Sequence, residues 1–178
     1  MLFRSIVAPG FDEDALEILT AVPKWKNNVR LMQVGEDENQ QARLQPSHID
    51  GGMLMQVADI LPDEPDQWEV VTTARPDESQ LSKLEFAWQI VRHIKSNAIA
   101  ICREQSLVGA GAGQMSRVDS VEIAINKAGD RVQGAVLSSD AFFPFSDSIP
   151  RAAAAGVVAI LPPGGSRPPD EVLQACNE

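Results

Sequence analysis

From Lys95 to the end of the chain, short apolar runs alternate with amphipathic stretches, and this alternation restricts the fold more than any other feature. "KSNAIAIC", "SLVGAGAG", "GAVLSSD" and "VVAILPPGG" read as buried strands. "SRVDSVEIAINKAG", "SIPRAAAAG" and "PDEVLQAC" read as helices set among them. Strands alternating with helices are the pattern of a sheet covered by crossover helices, so the expected class is α/β. A longer helix, "DESQLSKLEFAWQIVRHI", precedes this region, with Leu81, Leu84, Ala87, Trp88 and Val91 along one face. Ser116 is placed to cap the helix that follows the glycines, and Gly129 to stop it.

The earlier part of the chain is less regular. "RSIVAPG" reads as a short strand ending in a turn, and "FDEDALEILTAV" as a helix with acidic residues in its first turn. "NVRLMQVG" is a second strand, and the Gly51-Gly52 break is followed by an apolar strand. "DEPDQWEVVTT" leads into another short strand. No linker divides the chain, so residues 1–178 are expected to form one unit, with its weakest joint at 62–67. Both ends are abrupt, and the chain reads as truncated at each.

Charge and cysteine content narrow the function. The 178 residues carry 25 acidic and 15 basic side chains, a net charge of −10 with no local gathering of lysine or arginine. Such a surface repels nucleic acid and anionic membranes, leaving small molecules as the expected ligands. Cys102 and Cys176 are far apart and form no CxxC pair, which argues against a disulfide framework and a structural zinc site. The N-terminal "MLFRSIVAPGFDED" has neither the apolar core of a signal peptide nor a membrane-spanning length, so a cytoplasmic setting is expected.

Several segments could carry chemistry. "GAGAGQMSRVDS" follows a strand and opens a helix. A dinucleotide fingerprint needs glycine where Gln114 stands, so that reading is incomplete. A tight turn and an anion site at the helix N-terminus, reinforced by Arg117, both remain. "SDAFFPFSDS" holds Phe142, Phe143 and Phe145 within four positions, beside Pro144. It is either a hydrophobic plug or a platform for a planar ring, with Asp140 or Asp147 to bond ring nitrogens or an amine. Asn97, where helix meets strand, is either a core amide or a donor to a carbonyl or oxyanion. His93, near the end of the long helix, reads as a capping or surface residue rather than a base. The H-x-E and P-C-x-x-C pair of a zinc deaminase, a G-x-S-x-G elbow and a Walker loop are all absent from the sequence.

Taken together, "VAPGFDEDALEIL", "DGGMLMQ", "FAWQIVRHIKSNAI", "VGAGAGQMSRVDSV", "GAVLSSDAFFPFSDSI" and "LPPGGS" resemble successive segments of one family. It is the family of bifunctional purine biosynthesis proteins, which join an aminoimidazole carboxamide ribonucleotide (AICAR) formyltransferase to an IMP cyclohydrolase. The resemblance covers nearly the whole chain. It implies a cytidine-deaminase-like three-layer αβα unit without zinc, the second of two in the formyltransferase region. It also implies a reaction: the exocyclic amine of AICAR attacks the formyl group of 10-formyltetrahydrofolate.

By resemblance, Asn97 stands beside the formyl transfer centre. Arg117 and Phe142 contact AICAR, with Asp140 in the same loop. Val118, Pro144, Phe145, Asp147 and Ser166 line the folate site. The family can hold a monovalent cation near the strand ends, and it builds these sites across a dimer. The departures are as informative. The family's Lys-His pair lies in a K-H-x-N-P-x-G motif that this sequence lacks, and "RHIKSN" is a different segment. The cyclohydrolase region is absent, as is a final strand bearing an arginine, and Ser146 replaces an arginine common in the family. The implied role is therefore part of a composite formyltransferase, completed by a homodimer partner or by a missing first half. The alternative is a stand-alone AICAR- or folate-binding or assembly module without turnover.

Overall fold

The computed structural model of the chain describes residues 5–24, 26–35, 44–58, 63–164 and 168–178. The chain divides into two compact units, Met1–Pro62 and Asp63–Glu178.

In the first unit, β1 (Ser5–Ala8), α1 (Glu13–Ala21) and β2 (Arg30–Gln33) form a βαβ element, with β1 and β2 paired in parallel from Ser5↔Arg30 to Ala8↔Gln33. Two acidic residues, Glu13 and Asp14, occupy the first turn of α1, where the helix dipole favours them. β3 (Leu44–Ile49) and β4 (Gly52–Val57) form an antiparallel hairpin around Asp50-Gly51. Gly51 adopts φ +74°, which lets the chain reverse in two residues. The sequence pointed to the second strand of this hairpin; the first, with Pro46 and His48 in it, was not anticipated.

The second unit is built on a four-stranded sheet of order β6-β5-β7-β8. Its strands are β5 (Ile99–Arg103), β6 (Ser106–Gly111), β7 (Ala135–Ser139) and β8 (Val157–Leu161). β5 runs antiparallel to both β6 and β7, while β7 and β8 are parallel. α2 (Glu78–Val91) covers one face, where Leu84, Ala87 and Val91 meet Ala100, Cys102 and Val136. α3 (Arg117–Ala128), α4 (Ser148–Ala155) and α5 (Asp170–Asn177) cover the other, where Val121, Ala124, Ile149, Ala152 and Val172 meet Ile99, Ile101 and Leu137. Adjacent residues of β5 and β7 thus serve opposite cores, as the period of two requires. The result is a three-layer α/β/α arrangement.

Local signals account for most boundaries. α2 begins with a full capping box: the Asp77 carboxylate accepts from the Gln80 N–H at 2.7 Å, and the Gln80 side chain accepts from the Asp77 N–H at 3.0 Å. Ser116 caps α3 by accepting from the Asp119 N–H at 3.2 Å, and Gly129 ends it at φ +55°. The stripe on α2 is narrower than its spacing implies, since Leu81 stays exposed and Trp88 is half-buried.

One expected strand does not form. After a 3-10 turn at Pro65–Gln67, residues 68–73 make no ladder. Trp88 donates to Asp63 at 2.7 Å, Arg92 pairs with the same carboxylate at 3.2 Å, and Trp68 meets Trp88 edge to face at 6.2 Å. The segment is thereby laid on α2. The Thr73 N–H finds its partner in the Asn177 side chain at 2.8 Å rather than in a strand.

Candidate functional site

The glycines of the opening motif are strand residues before they are a turn. Gly109 and Gly111 lie in β6 and face α3. A Cβ at Gly109 would run into the Ala124 carbonyl, and one at Gly111 into the Ser120 carbonyl. Their absence of side chain lets α3 pack directly on the strand backbone. Gly113, at φ +66°, then makes the turn, and its N–H donates to the Lys95 carbonyl at 2.8 Å. The motif therefore serves close helix–strand packing and aims the first residue of α3, Arg117, across the sheet end.

Register brings three segments to that end. Ile99, at the start of β5, pairs with Gly111 at the end of β6 and with Ser139 at the end of β7. Asn97, Arg117 and Asp140 each lie just outside one of these strand ends. Arg117 Nη1 donates to Asp140 Oδ1 at 2.6 Å and to Ser139 Oγ at 2.7 Å, and Nη2 donates to Asn97 Oδ1 at 2.9 Å. Asn97 Nδ2 donates to the Gln114 carbonyl at 2.9 Å, and the Asn97 carbonyl accepts from Ser120 Oγ at 2.7 Å. Asp140 Oδ1 also accepts from the Ala98 N–H at 3.0 Å. One carboxylate thus joins the turn before β5, the end of β7 and the start of α3.

The Arg117 and Asp140 side chains are only 9% and 17% exposed, so their pairing is largely shielded from water. Burial by itself would raise the Asp140 carboxyl pKa. Hydrogen bonds from Ser96, Arg117 and the Ala98 N–H, with the Arg117 charge, outweigh that effect and hold it below its ordinary value. The carboxylate is ionised at neutral pH and accepts from Ser96, Arg117 and the Ala98 N–H. Asp140 is therefore a support for Arg117 and Asn97 in this arrangement. Arg117 keeps its Nε–H and one Nη2–H without a partner among the described residues, and Asn97 keeps one Nδ2–H.

The phenylalanine-rich loop follows Asp140 directly and splits its rings. Phe143 is buried in the core under α3 and α4, whereas Phe142 is 46% and Phe145 67% exposed. The loop is thus divided: one ring is a hydrophobic plug and two lie at the surface. Pro144 and Asp147 are exposed; Asp147 precedes α4 without a side-chain cap, and Val118 is half-buried in the first turn of α3. Ser166 lies outside the described residues. His93 is exposed beyond the end of α2, and His48 is exposed opposite Met53 in the hairpin. Cys102 is fully buried, and burial pushes its thiol up to about 12, which makes it unreactive as a nucleophile. No group of three or more His, Cys, Asp or Glu side chains is arranged to hold a metal ion among the described residues. No helix among them is long and apolar enough to cross a membrane.

Sequence reasoning singled out Asn97, Arg117 and Asp140 but missed the groups that lock them: the side chains of Ser96, Ser120 and Ser139 and the backbone carbonyl of Gln114. The available signal was weak. "KSN" and "SSD" are polar residues at ends of apolar strands, and Ser120 is a small residue on the face that α3 turns to glycines.

Comparison with known proteins shows the family. Residues 1–127 match the model of the AICARFT/IMPCHase bienzyme family. The chain is 52% identical over all of its 178 residues to the bifunctional purine biosynthesis protein PurH of Rhodopirellula baltica, of which it covers 34%. It is 47% identical over 173 residues to the PurH proteins of a Cyanothece and of a Synechocystis strain, covering 97% of this chain and 33% of each relative. The chain thus spans about a third of the length of the curated relatives it matches. It belongs to the AICARFT/IMPCHase bienzyme family.

Proposed function

We propose that the chain supplies one wall of the site at which a formyl group passes from 10-formyltetrahydrofolate to AICAR. The observation that carries this reading is the locked Asn97–Arg117–Asp140 cluster, with the exposed Phe142 ring on the loop that leaves it. In this reading the unit is the second of two cytidine-deaminase-like units, one that works without zinc.

The chemistry is a formyl transfer between two nitrogens. The AICAR amine attacks the formyl carbon, an N–C bond forms, and the carbonyl oxygen becomes an oxyanion. Collapse breaks the bond from that carbon to N10 of the folate. The proton lost by the amine is taken by a base and returned to N10. Asn97, through its remaining Nδ2–H, donates to the oxyanion. Arg117, already oriented by Asp140 and Ser139, offers its free N–H edge to an acceptor on AICAR. Phe142 lies against the AICAR ring. Val118, Pro144, Phe145 and Asp147 face the folate, and the family resemblance adds Ser166 to that set. The base belongs to the Lys-His motif of the region that this chain does not represent.

The test is AICAR titration by calorimetry, followed by a formyl-transfer assay with and without a polypeptide carrying the Lys-His motif. AICAR is expected to bind, and Arg117→Lys to weaken it by about 1.5–3 kcal/mol, because an ammonium cannot reproduce the guanidinium fork. Turnover is expected only when both polypeptides are present. Turnover by this chain alone would overturn the division of labour. Unchanged affinity in Arg117→Lys would remove Arg117 from the site.

A further inference from the structure

We infer that one face of the β3–β4 hairpin is a docking surface for the part of an AICARFT/IMPCHase-family polypeptide that this chain does not represent. The inference rests on family membership and is independent of the reaction proposed above.

Directly opposed residues of an antiparallel pair share a face. The pairs Leu44↔Val57, Pro46↔Met55 and His48↔Met53 therefore make one face, and Gln45↔Gln56, Ser47↔Leu54 and Ile49↔Gly52 the other. The first is almost wholly apolar, yet Leu44, Met53, Met55 and Val57 are 60%, 57%, 52% and 58% exposed. The second carries two glutamines and a serine. All twelve hairpin residues are exposed. A lone two-stranded hairpin is marginal in water and needs a layer against its apolar face.

None of the described residues from 5 to 58 is buried. Among its described residues, the first unit therefore has apolar faces and no buried core. The occupant follows from length. The chain aligns over its whole extent with 34% of the Rhodopirellula baltica relative, so about twice as much family polypeptide lies outside it. A second copy of this chain, docked hairpin to hairpin, would leave Ile18, Val22 and Met32 of the first unit exposed. A polypeptide of twice the length can cover both surfaces.

The test is co-expression of the full chain with the Rhodopirellula baltica protein from which the matching third has been removed. A hetero-complex is expected, with hairpin amides 44–57 exchanging hydrogen roughly tenfold or more slowly than in the chain alone. Met53→Lys with Met55→Lys should weaken the complex on the order of 100-fold, since both charges would be buried at the contact. Gln45→Lys with Gln56→Lys, on the opposite face, should leave it intact. If the truncated relative does not fold, the chain is exchanged into the full-length relative and the same amides and variants are read there. Equal hairpin exchange in both settings would overturn the inference. So would a self-associating chain whose dimer the Met53/Met55 variant dissociates, because the occupant would then be a second copy. A complex with protected hairpin amides but no formyl transfer would sustain this inference and sink the proposed reaction.

Discussion

The two units of the chain respond differently to the same kind of sequence. Both contain apolar strands and an amphipathic helix. In the second, β5 and β7 send alternate residues into two cores, and side chains such as Ile99, Ile101, Leu137 and Val121 lose all contact with water. In the first, Val7, Ile18, Met32 and Leu54 are more than half exposed. Secondary structure forms from local pattern in both, but a core forms only where layers close on each other. A unit can therefore be well patterned and still depend on outside surface for its stability.

The sharpest way to break this comparison is at the buried ion pair of the second unit. Asp140→Ala leaves the Arg117 guanidinium without its carboxylate, and the expected loss is toward the lower end of the roughly 3–5 kcal/mol seen for such pairs. Equilibrium urea unfolding measures it. Asp140→Asn keeps the shape and tests the charge. The folded-state pKa of Asp140 is lowered, so its contribution is present above the unfolded carboxylate value near 4 and is lost as pH falls through the lower folded value. Wild-type stability should thus decline between about pH 4 and the acid limit by more than that of Asp140→Asn. Parallel pH profiles would mean that the pair is not ionised as described.

Core truncation should separate the units next. Leu137→Ala, at a fully buried position, is expected to cost about 2–5 kcal/mol. Leu54→Ala, exposed in the hairpin of the chain alone, should stay within about 0.5 kcal/mol. A large effect of Leu54→Ala in the isolated chain would show that the first unit has a core after all.

A finer contrast uses glycine. Gly111→Ala forces α3 away from β6, at about 1–3 kcal/mol. Gly52→Ala meets nothing closer than Ile49 Cγ1 at 3.9 Å and should be nearly neutral. The smallest expected loss from a disrupted contact is Asp77→Ala, which removes the capping box of α2 for about 1 kcal/mol. Thermal melts resolve both.

Most elements were legible because their signals are local. The α2 stripe, the Ser116 cap and the Gly129 stop can each be read within one turn or two of chain. The missing strand at 68–73 shows the limit: Trp68 and Asp63 were claimed by Trp88 and Arg92, about 20 to 29 residues away in the chain. The candidate site divides along the same line. Asn97, Arg117 and Asp140 were named as separate candidates, from a helix–strand junction, a helix N-terminus and a loop after a strand. That Asp140 bonds Arg117 and the Ala98 N–H beside Asn97 depends on distances that no spacing rule contains.

The sequence by itself determined the α/β class, the alternation of elements after Lys95, the family, and the residues worth suspecting. It did so because periodicity, caps and long motifs are properties of neighbours along the chain. Tertiary structure alone decided that Gly109 and Gly111 serve helix packing, that Phe143 is core while Phe142 and Phe145 are surface, and that no described residue of the first unit is buried. Each of these depends on which surfaces exclude water from one another, and that is settled only when distant segments meet.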